Sequence, residues 1–478
     1  MHNKDATAAR MRIASLLDDR SFVEIGASIT ARSTDFNFNE QRTPGDGVIT
    51  GYGVINGNLV YVYSQDTTML NGTVGEMHCK KIINIYDMAL KMGAPVIGLI
   101  DCGGVRLQEG NDALHGLGEL YKKQAIASGL VPQIVGVFGS CGGGLALLTS
   151  MADFTFMEEK RGRLFINSPN TITGNEESRC NTASGEFQSK QAGLIDVVGE
   201  EGYILKEMRS LITILPSNNK EFAVEDMVND ELNRSSIGAS KYVGATDRLI
   251  ATIADDNSFY EVKRDYAREI TVGFVRINGT TVGAIANRTE LYDQGGKLIE
   301  TFDNVLTSRG CRKAADFVSF CDGFNIPILT LTNVRGFEAT IEEEKNIAYA
   351  AGRLAYYFAS SSVPKVNVII GEAYGNAYNV MNSKAIGSDI VCAWPEAKVA
   401  PMEASSAAKV MYSNCELSVI KEKEKEYEKL QGSIEAALGR GYIDYIILPE
   451  NTRRYVISCF EMLFGKRESI PPKKHGTI

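Results

Sequence analysis

The sequence predicts an α/β protein built from two copies of one fold in tandem, and three observations carry that prediction. First, VPQIVGVFGSCGGGLALL (131–148) opens with a proline, runs through apolar residues Ile134 to Phe138, meets a run of glycines and turns apolar again. That is the pattern of a buried strand, a tight turn and a helix start. Second, the device recurs as VPKVNVIIGEAYGNAYNV from 363 onward: Val131-Pro132 falls on Val363-Pro364, Gly139 on Gly371 and Gly143 on Gly375, all at a spacing of 232. Third, the matches continue in order. Pro95 falls on Pro327, Gly104 on Gly336 and Cys79 on Cys311 at 232; Ile55-Asn56-Gly57 recurs as Ile277-Asn278-Gly279 at 222, and DDRSFVE (18–24) as DDNSFYE (255–261) at 237. Loops of unequal length produce such drift.

Taken in order, ARMRIASLLDD (9–19) reads as an amphipathic helix and SFVEI as a short strand. Asn56-Gly57 between two β-rich runs signals a hairpin. A helix follows over 74–92, then the buried strand APVIGLID (94–101) and a second glycine-rich turn, CGGVRLQEG (102–110). A helix around 112–128 precedes the opening strand and turn, so strands and helices alternate as in a parallel sheet with right-handed crossovers. GLIDVV (193–198) reads as a strand or its edge. The polar stretch 215–242 reads as the linker, giving an N-terminal domain over 1–230 and a C-terminal domain over 231–478. The second copy has its own hairpin, a helix near 311–323, the strand IPILTLTN (326–333), the turn VRGF (334–337) and a helix near 341–359. KEKEKEYEKL (421–430) reads as a solvated helical face, and the tail PPKKHGTI is polar.

At 478 residues, 44% hydrophobic and 23% charged, the composition is that of a soluble globular chain of two or three domains. A net charge of −9 argues against a nucleic-acid surface, while leaving room for a local basic cluster that takes a phosphorylated ligand. Nine cysteines without a CxxC fit reduced thiols in a cytoplasmic protein, and four dispersed histidines suggest no metal site. The polar start is no signal peptide, and no apolar run reaches transmembrane length.

Glycines at 142–144 let a ligand approach the backbone, and the first amides of a helix have no internal partner. Such a turn can hold an oxyanion; alternatively, the glycines only let a helix pack tightly on a sheet. Two such turns in one chain suit two carbonyl-bearing reactants that meet, with charge building on one oxygen as in a thioester enolate. There is no Gly-x-Ser-x-Gly elbow and no Walker motif, and Asp153 stands too close to complete a dinucleotide fingerprint. Ala89-Leu90-Lys91-Met92 is similar to a biotin-accepting Met-Lys-Met tip, but its surroundings read as a helix end.

GDGVITGYG (46–54), VYSQD (62–66), GAPVIGLIDCGGVRLQEG (93–110), FCDGFNIP (320–327), VPKVNVI (363–369), AYGNAYNVMNSKAIGSDIVCAWP (373–395), TRRY (452–455) and PPKKHG (471–476) together cover almost the whole chain. On these segments it resembles the carboxyltransferase subunit of biotin-dependent acyl-CoA carboxylases, with the related transcarboxylases and decarboxylases of the crotonase superfamily. The resemblance implies two tandem crotonase-like spiral ββα domains, the first holding acyl-CoA and the second carboxybiotin delivered on a separate biotin carboxyl carrier protein. It implies a homohexamer, a trimer of dimers, in which the N-half of one subunit faces the C-half of another. It further implies a biotin carboxylase, or membrane decarboxylase subunits, as partners.

Carried over by position, Gly143 and Gly144 become amide donors to the acyl thioester oxygen. Asn376 and Ala377, with Gly375 opening the turn, become donors to the biotin ureido oxygen. Gly103, Gly104 and Arg106 fall on the CoA side, and Arg106 reads equally well as a structural ion pair with Glu109 or another acid. Gly336, Phe337 and Tyr374 fall beside the biotin pocket; Tyr374 and Tyr378 read as packing residues, and Asn379 as a border of the acyl pocket. Tyr374-Gly375-Asn376-Ala377-Tyr378 departs from the family's Tyr-Gly-Gly-Ala-Tyr, so Asn376 is expected to tolerate an unusual backbone angle there. NVRGF (333–337) replaces Asp-Val-Pro-Gly-Phe, and Ser140 and Gly142 replace proline and alanine, which suggests a looser first turn. The implied reaction passes a carboxyl group through an enolate and needs no side-chain base. Its direction, carboxylation or decarboxylation, stays open, beside a biotin-independent hydratase or hydrolase and a non-catalytic assembly subunit.

Overall fold

Asn56-Gly57 and Asn278-Gly279 close the two expected hairpins. Their φ angles are 49° and 84° in the first and 49° and 75° in the second, the left-handed pair that a two-residue turn between twisted strands needs. The structure, a computed structural model, describes residues 7–32, 45–174, 181–221, 228 and 230–468. The chain folds as two units, Met1–Ala223 and Val224–Ile478.

In the first unit the sheet runs Val23–Ile25, Val48–Ile55, Asn58–Gln65, Val96–Ile100, Gln133–Val137, Phe154–Glu158 and Val197–Gly199. The first three strands are antiparallel and the rest add in parallel. In the second unit the same order recurs: Tyr260–Val262, Ile270–Ile277, Thr280–Asn287, Ile328–Val334, Lys365–Tyr374, Ile390–Ala393 and Tyr445–Ile446. Its antiparallel and parallel pairings follow the same scheme. Lys398–Ala400 adds alongside the end of Lys365–Tyr374.

The duplication reaches polar contacts that the sequence matches did not include. Asp18 accepts the Gly57 amide at 3.3 Å, and Asp255 accepts that of Gly279 at 2.8 Å. The Gln65 side chain accepts the Asp101 amide at 3.1 Å, as Asn287 accepts that of Asn333 at 3.1 Å. Asp153 and Asp389 each accept the first amide of a strand, from Gln133 and Lys365, at 2.8 Å. Buried Lys81 donates to Val48 O, and buried Lys313 donates to Tyr266 O, Ala267 O and Ile270 O. Each lysine thus ties the helix that follows the hairpin to the start of the hairpin's first strand.

Lys313→Met removes the donor from these buried carbonyls, three of them served by the ammonium and two at most by the neutral amine, and should lower stability by about 1–3 kcal/mol. Burial lowers the Lys313 pKa from 10.5 to about 7, opposed by Glu261. Between those pH values the unfolded chain holds more protons than the folded one, so the lysine's contribution grows as pH rises. Urea unfolding of both proteins should show the wild-type margin widening from pH 7 towards 10.5. A margin that stays flat would show that Lys313 does not titrate in that window.

The helix Glu76–Met92 buries Cys79, Ile82, Ile85, Tyr86 and Ala89 along one face and stops at Gly93, whose φ is 63°. Lys91 stands in its last turn, so the segment is a helix end and no hairpin tip. The first helix is shorter than read, Ala8–Leu16. Of GLIDVV only Val197 and Val198 enter a strand. The helix near 341–359 is two, Ile341–Glu344 and Ile347–Ser360, broken where Asn346 takes φ −128°. KEKEKEYEKL lies on an exposed helix, Leu417–Tyr427, and the turns after it. The linker stretch is ordered on both flanks: Asn218 donates to Gly93 O at 2.9 Å, and Arg234 pairs with Asp230 at 2.8 Å. Residues 222–227 of it, with 229 and the tail PPKKHGTI, lie outside the described residues. No helix among the described residues is long and apolar enough to cross a membrane.

Candidate active site

The first glycine turn stands at the C-terminal ends of two adjacent parallel strands, Val96–Ile100 and Gln133–Val137, where ligands of open α/β sheets bind. Apolar burial on both faces explains why the strands are continuous hydrophobic runs. Beyond them the chain must leave the sheet around Asp101. A Cβ on Gly139 would come within 2.0 Å of the Asp101 carboxylate, so only glycine lets the two strand ends lie together. Arg12, 1% exposed, donates to Asp101 at 3.0 Å and to Glu201 at 3.3 Å, with its guanidinium 4.7 Å from the Phe138 ring centre. The Cys102 amide then donates to Ser140 O at 3.0 Å, joining the two turns.

Gly143 has φ 58° and ψ −122° and caps the helix Gly144–Ser150. Its own amide is occupied: it donates to Phe165 O at 2.9 Å. The expected donor role of Gly143 is therefore corrected. Among the described residues no acceptor takes the amides of Gly144 and Leu145, and those two are the candidate donors. Gly144 is held from behind by Tyr121, whose hydroxyl donates to Gly144 O at 2.7 Å and would lie 2.6 Å from a Cβ there. The expected looseness at Gly142 is also corrected, because the Phe165 ring fills the space a Cβ would need, at 2.7 Å.

The neighbouring turn divides its residues. Gly104, φ 104°, has open space where a Cβ would point, while the Gly103 amide is taken by Asn71 O at 2.9 Å. Arg106 is 1% exposed and bound to Asp46, to Glu109 at 2.6 Å and to Thr73 O at 2.7 Å. It is a buried structural ion pair. Asp46 O accepts from His78 Nδ1 at 2.9 Å, and the other ring nitrogen lies 3.2 Å from the Gln65 amide. Burial holds His78 neutral, its pKa lowered to about 3. Sequence reasoning missed this buried chain from Arg106 through His78 and Gln65 to the Asp101 amide. The repeat held its signal, since Gln65 and Asn287 are 222 apart and Asp101 and Asn333 are 232 apart.

The second turn is built alike. Gly371 lies against Asn333, where a Cβ would meet Oδ1 at 2.5 Å. Gly375 takes φ 59° and opens the helix Gly375–Val380. Asn376 has no positive φ, which corrects the expectation of an unusual angle there. The strained position is Gly375, so asparagine at 376 leaves the backbone unchanged. Among the described residues no acceptor takes the amides of Asn376 and Ala377. The short strand Gly336–Phe337 pairs with Val305–Leu306 and packs against this helix. Asn333 is buried in a polar network: its Oδ1 accepts from Asn304 and from the Glu372 amide, both at 3.0 Å, and Asn304 also donates to the Glu372 carboxylate at 3.0 Å. Tyr374 and Tyr378 are buried, and burial pushes the Tyr378 phenol up to about 12. A cavity of about 520 Å³ opens beside the turn, lined by Gly375, Asn376, Asn379, Pro401, Gln431 and Arg440 among others.

The carboxyl transferase domain matches residues 1–478 of this sequence. The chain belongs to the carboxyl transferase domain family. It is 37% identical over 497 residues to the propionyl-CoA carboxylase beta chain of Roseobacter denitrificans, covering 100% of this chain and 94% of that one. It is 36% identical over 496 residues to the methylmalonyl-CoA decarboxylase subunit alpha of Propionigenium modestum, with the same coverage. Among solved structures, transcarboxylase 12S, described as a hexamer with hydrolysed methylmalonyl-coenzyme A bound, superposes with a TM-score of 0.90 at 33% identity. That match covers 98% of this chain and 92% of the transcarboxylase. As a carboxyl transferase family member, the chain carries the crotonase-like halves as two α/β units, each with one glycine-opened turn whose leading amides have no acceptor among the described residues.

Proposed function

We propose that this chain moves a carboxyl group between biotin on a separate carrier protein and the α-carbon of a short acyl-CoA. The observation that carries the reading is the pair of equivalent turns, Gly143–Leu145 and Gly375–Ala377, each opened by a glycine near φ 60° and each leading with unclaimed amides. Amides fixed in this way stabilise an oxygen as it gains charge, at no reorganisation cost. The cavity beside the second turn is of ligand size and Asn376 lines it, so a ureido group fits beside the turn's unclaimed amides. Bound biotin supplies the ring nitrogen that carries the carboxyl group.

The chain's own part is electrostatic. Asn376 and Ala377 donate to the ureido oxygen, and Gly144 and Leu145 to the thioester oxygen as the enolate forms. Gly104, Gly336 and Phe337 shape the approaches to the two turns. Tyr374 and Tyr378 stay protonated and pack. The resemblance to transcarboxylase 12S supports a hexamer, and the Propionigenium modestum relative supports the decarboxylating direction through the same site.

The test is direct. The purified chain is incubated with methylmalonyl-, malonyl- or glutaconyl-CoA, with and without free biotin. Carboxyl loss that depends on biotin and is fastest with methylmalonyl-CoA is expected. Turnover indifferent to biotin would replace this reading with a hydratase or hydrolase.

A further inference from the structure

The cavity beside the second turn has one charged side chain in its wall. Arg440 donates Nη1 to Ala436 O at 3.2 Å and Nη2 to Leu430 O at 2.8 Å. Those two bonds fix the guanidinium, and among the described residues no carboxylate pairs with it. A guanidinium has five N–H donors, so most of its edge remains for a ligand.

Asn376 faces the same cavity with a side chain where the resemblance places a glycine. Ser383, 1% exposed, places its Oγ 3.5 Å from Asn379 Oδ1. Asn379 Nδ2 donates to Asn376 Oδ1 at 3.3 Å. With its oxygen engaged, Asn376 is left with an Nδ2 donor that no acceptor takes among the described residues. Two independent donors, one charged and one neutral, therefore line one cavity whose remaining wall supplies no negative charge.

We infer that Asn376 Nδ2 and the Arg440 guanidinium form a carboxylate site inside this cavity. The site rests on the carboxyl-transfer reading and adds to it a side-chain contact beyond the backbone amides. Two sources offer the carboxylate: the carboxyl group carried on the biotin ring, and the free carboxyl of a dicarboxylic acyl-CoA. Planar, doubly donated carboxylate recognition is what arginine does best, and the amide adds a short polar contact that a glycine could not make.

The experiment measures binding by calorimetry on the full chain, so it does not depend on turnover. The probes are biotin bearing a carboxymethyl group on the distal ureido nitrogen, the methyl ester of that compound, methylmalonyl-CoA and propionyl-CoA. The wild type should bind the acid probe more tightly than its ester. Asn376→Gly and Arg440→Met should each weaken the acid probe about tenfold and the ester less than twofold, as loss of a hydrogen bond to a charged group does. Asn376→Asp, nearly isosteric, should weaken the acid more than Asn376→Gly does. If instead methylmalonyl-CoA weakens and propionyl-CoA does not, with both biotin probes unmoved, the carboxylate comes from the acyl-CoA and the site still stands. Equal changes for acid and ester, or none in any probe, would overturn it. A wild type that binds neither biotin probe and shows no biotin-dependent turnover would sink the carboxyl-transfer reading and this site together; normal turnover with unchanged probe discrimination sinks the site alone.

Discussion

Gly143→Val should lower kcat for carboxyl transfer by about 10²–10³-fold, the scale of losing one oxyanion donor, while leaving the thermal unfolding curve near that of the wild type. The reason lies in the backbone. At φ 58° and ψ −122° Gly143 sits in a region that an L side chain with a Cβ avoids. Nothing lies within 4 Å of the place its Cβ would occupy, so the added Cβ meets no steric wall there. What must change is the pair of torsions. The ψ of Gly143 aims the Gly144 amide, and relaxing it turns that amide away from the thioester oxygen. Strain of this kind amounts to roughly 1–3 kcal/mol, which local rotation can relieve more readily than unfolding. Steady-state kinetics and circular dichroism on one preparation check both halves of the expectation. Wild-type kcat in a variant that folds normally would remove the first turn from the mechanism.

The same geometry explains which parts of the fold could be read from the sequence. A positive φ leaves a trace, because few residues accept it. Gly143, Gly375 and the two Asn-Gly hairpins therefore recur in register, and the duplication could be seen. Contacts between distant residues leave no such trace. The Gly143 amide looked free because its acceptor, Phe165 O, stands 22 positions away on a three-residue strand. Gly142 looked loose because the ring that fills its space belongs to the same Phe165. At Asn376 the sequence showed a departure, but not which residue of the turn bears the strain; that burden falls on Gly375, so the departure changes the side chain facing the cavity and not the backbone. The break at Asn346 was hidden for a different reason: IEEEKNIAYAAGRL keeps helical residue types across it, and one asparagine's torsions decide.

Arg106→Met should cost about 3–5 kcal/mol of stability, the range for breaking a buried pair by removing one partner, and should leave the KM for acyl-CoA within twofold in whatever fraction stays folded. Arg106 has Asp46 and Glu109 beside it, both with side chains about 1% exposed or less. Burial already raises the Asp46 pKa, and the guanidinium is the main influence pulling it back down. Without it two carboxylates share one dry pocket, and at least one must take up a proton to remain there. Methionine matches the stem of the side chain and fills space, so the loss reports charge and hydrogen bonds more than a cavity. The damage should reach beyond the pair, because Glu109 also accepts the Glu76 amide at 2.6 Å at the start of the helix Glu76–Met92. The variant should also recover stability relative to the wild type as pH falls, since protonating Asp46, whose pKa burial already raises, removes the repulsion that the substitution leaves behind. Urea unfolding at neutral and mildly acidic pH, paired with acyl-CoA titrations, separates the outcomes. A stable variant with a greatly raised KM would return Arg106 to the ligand and contradict its burial; an unstable variant with normal affinity fixes it as the pin that ties the 102–110 turn to Asp46 and Thr73.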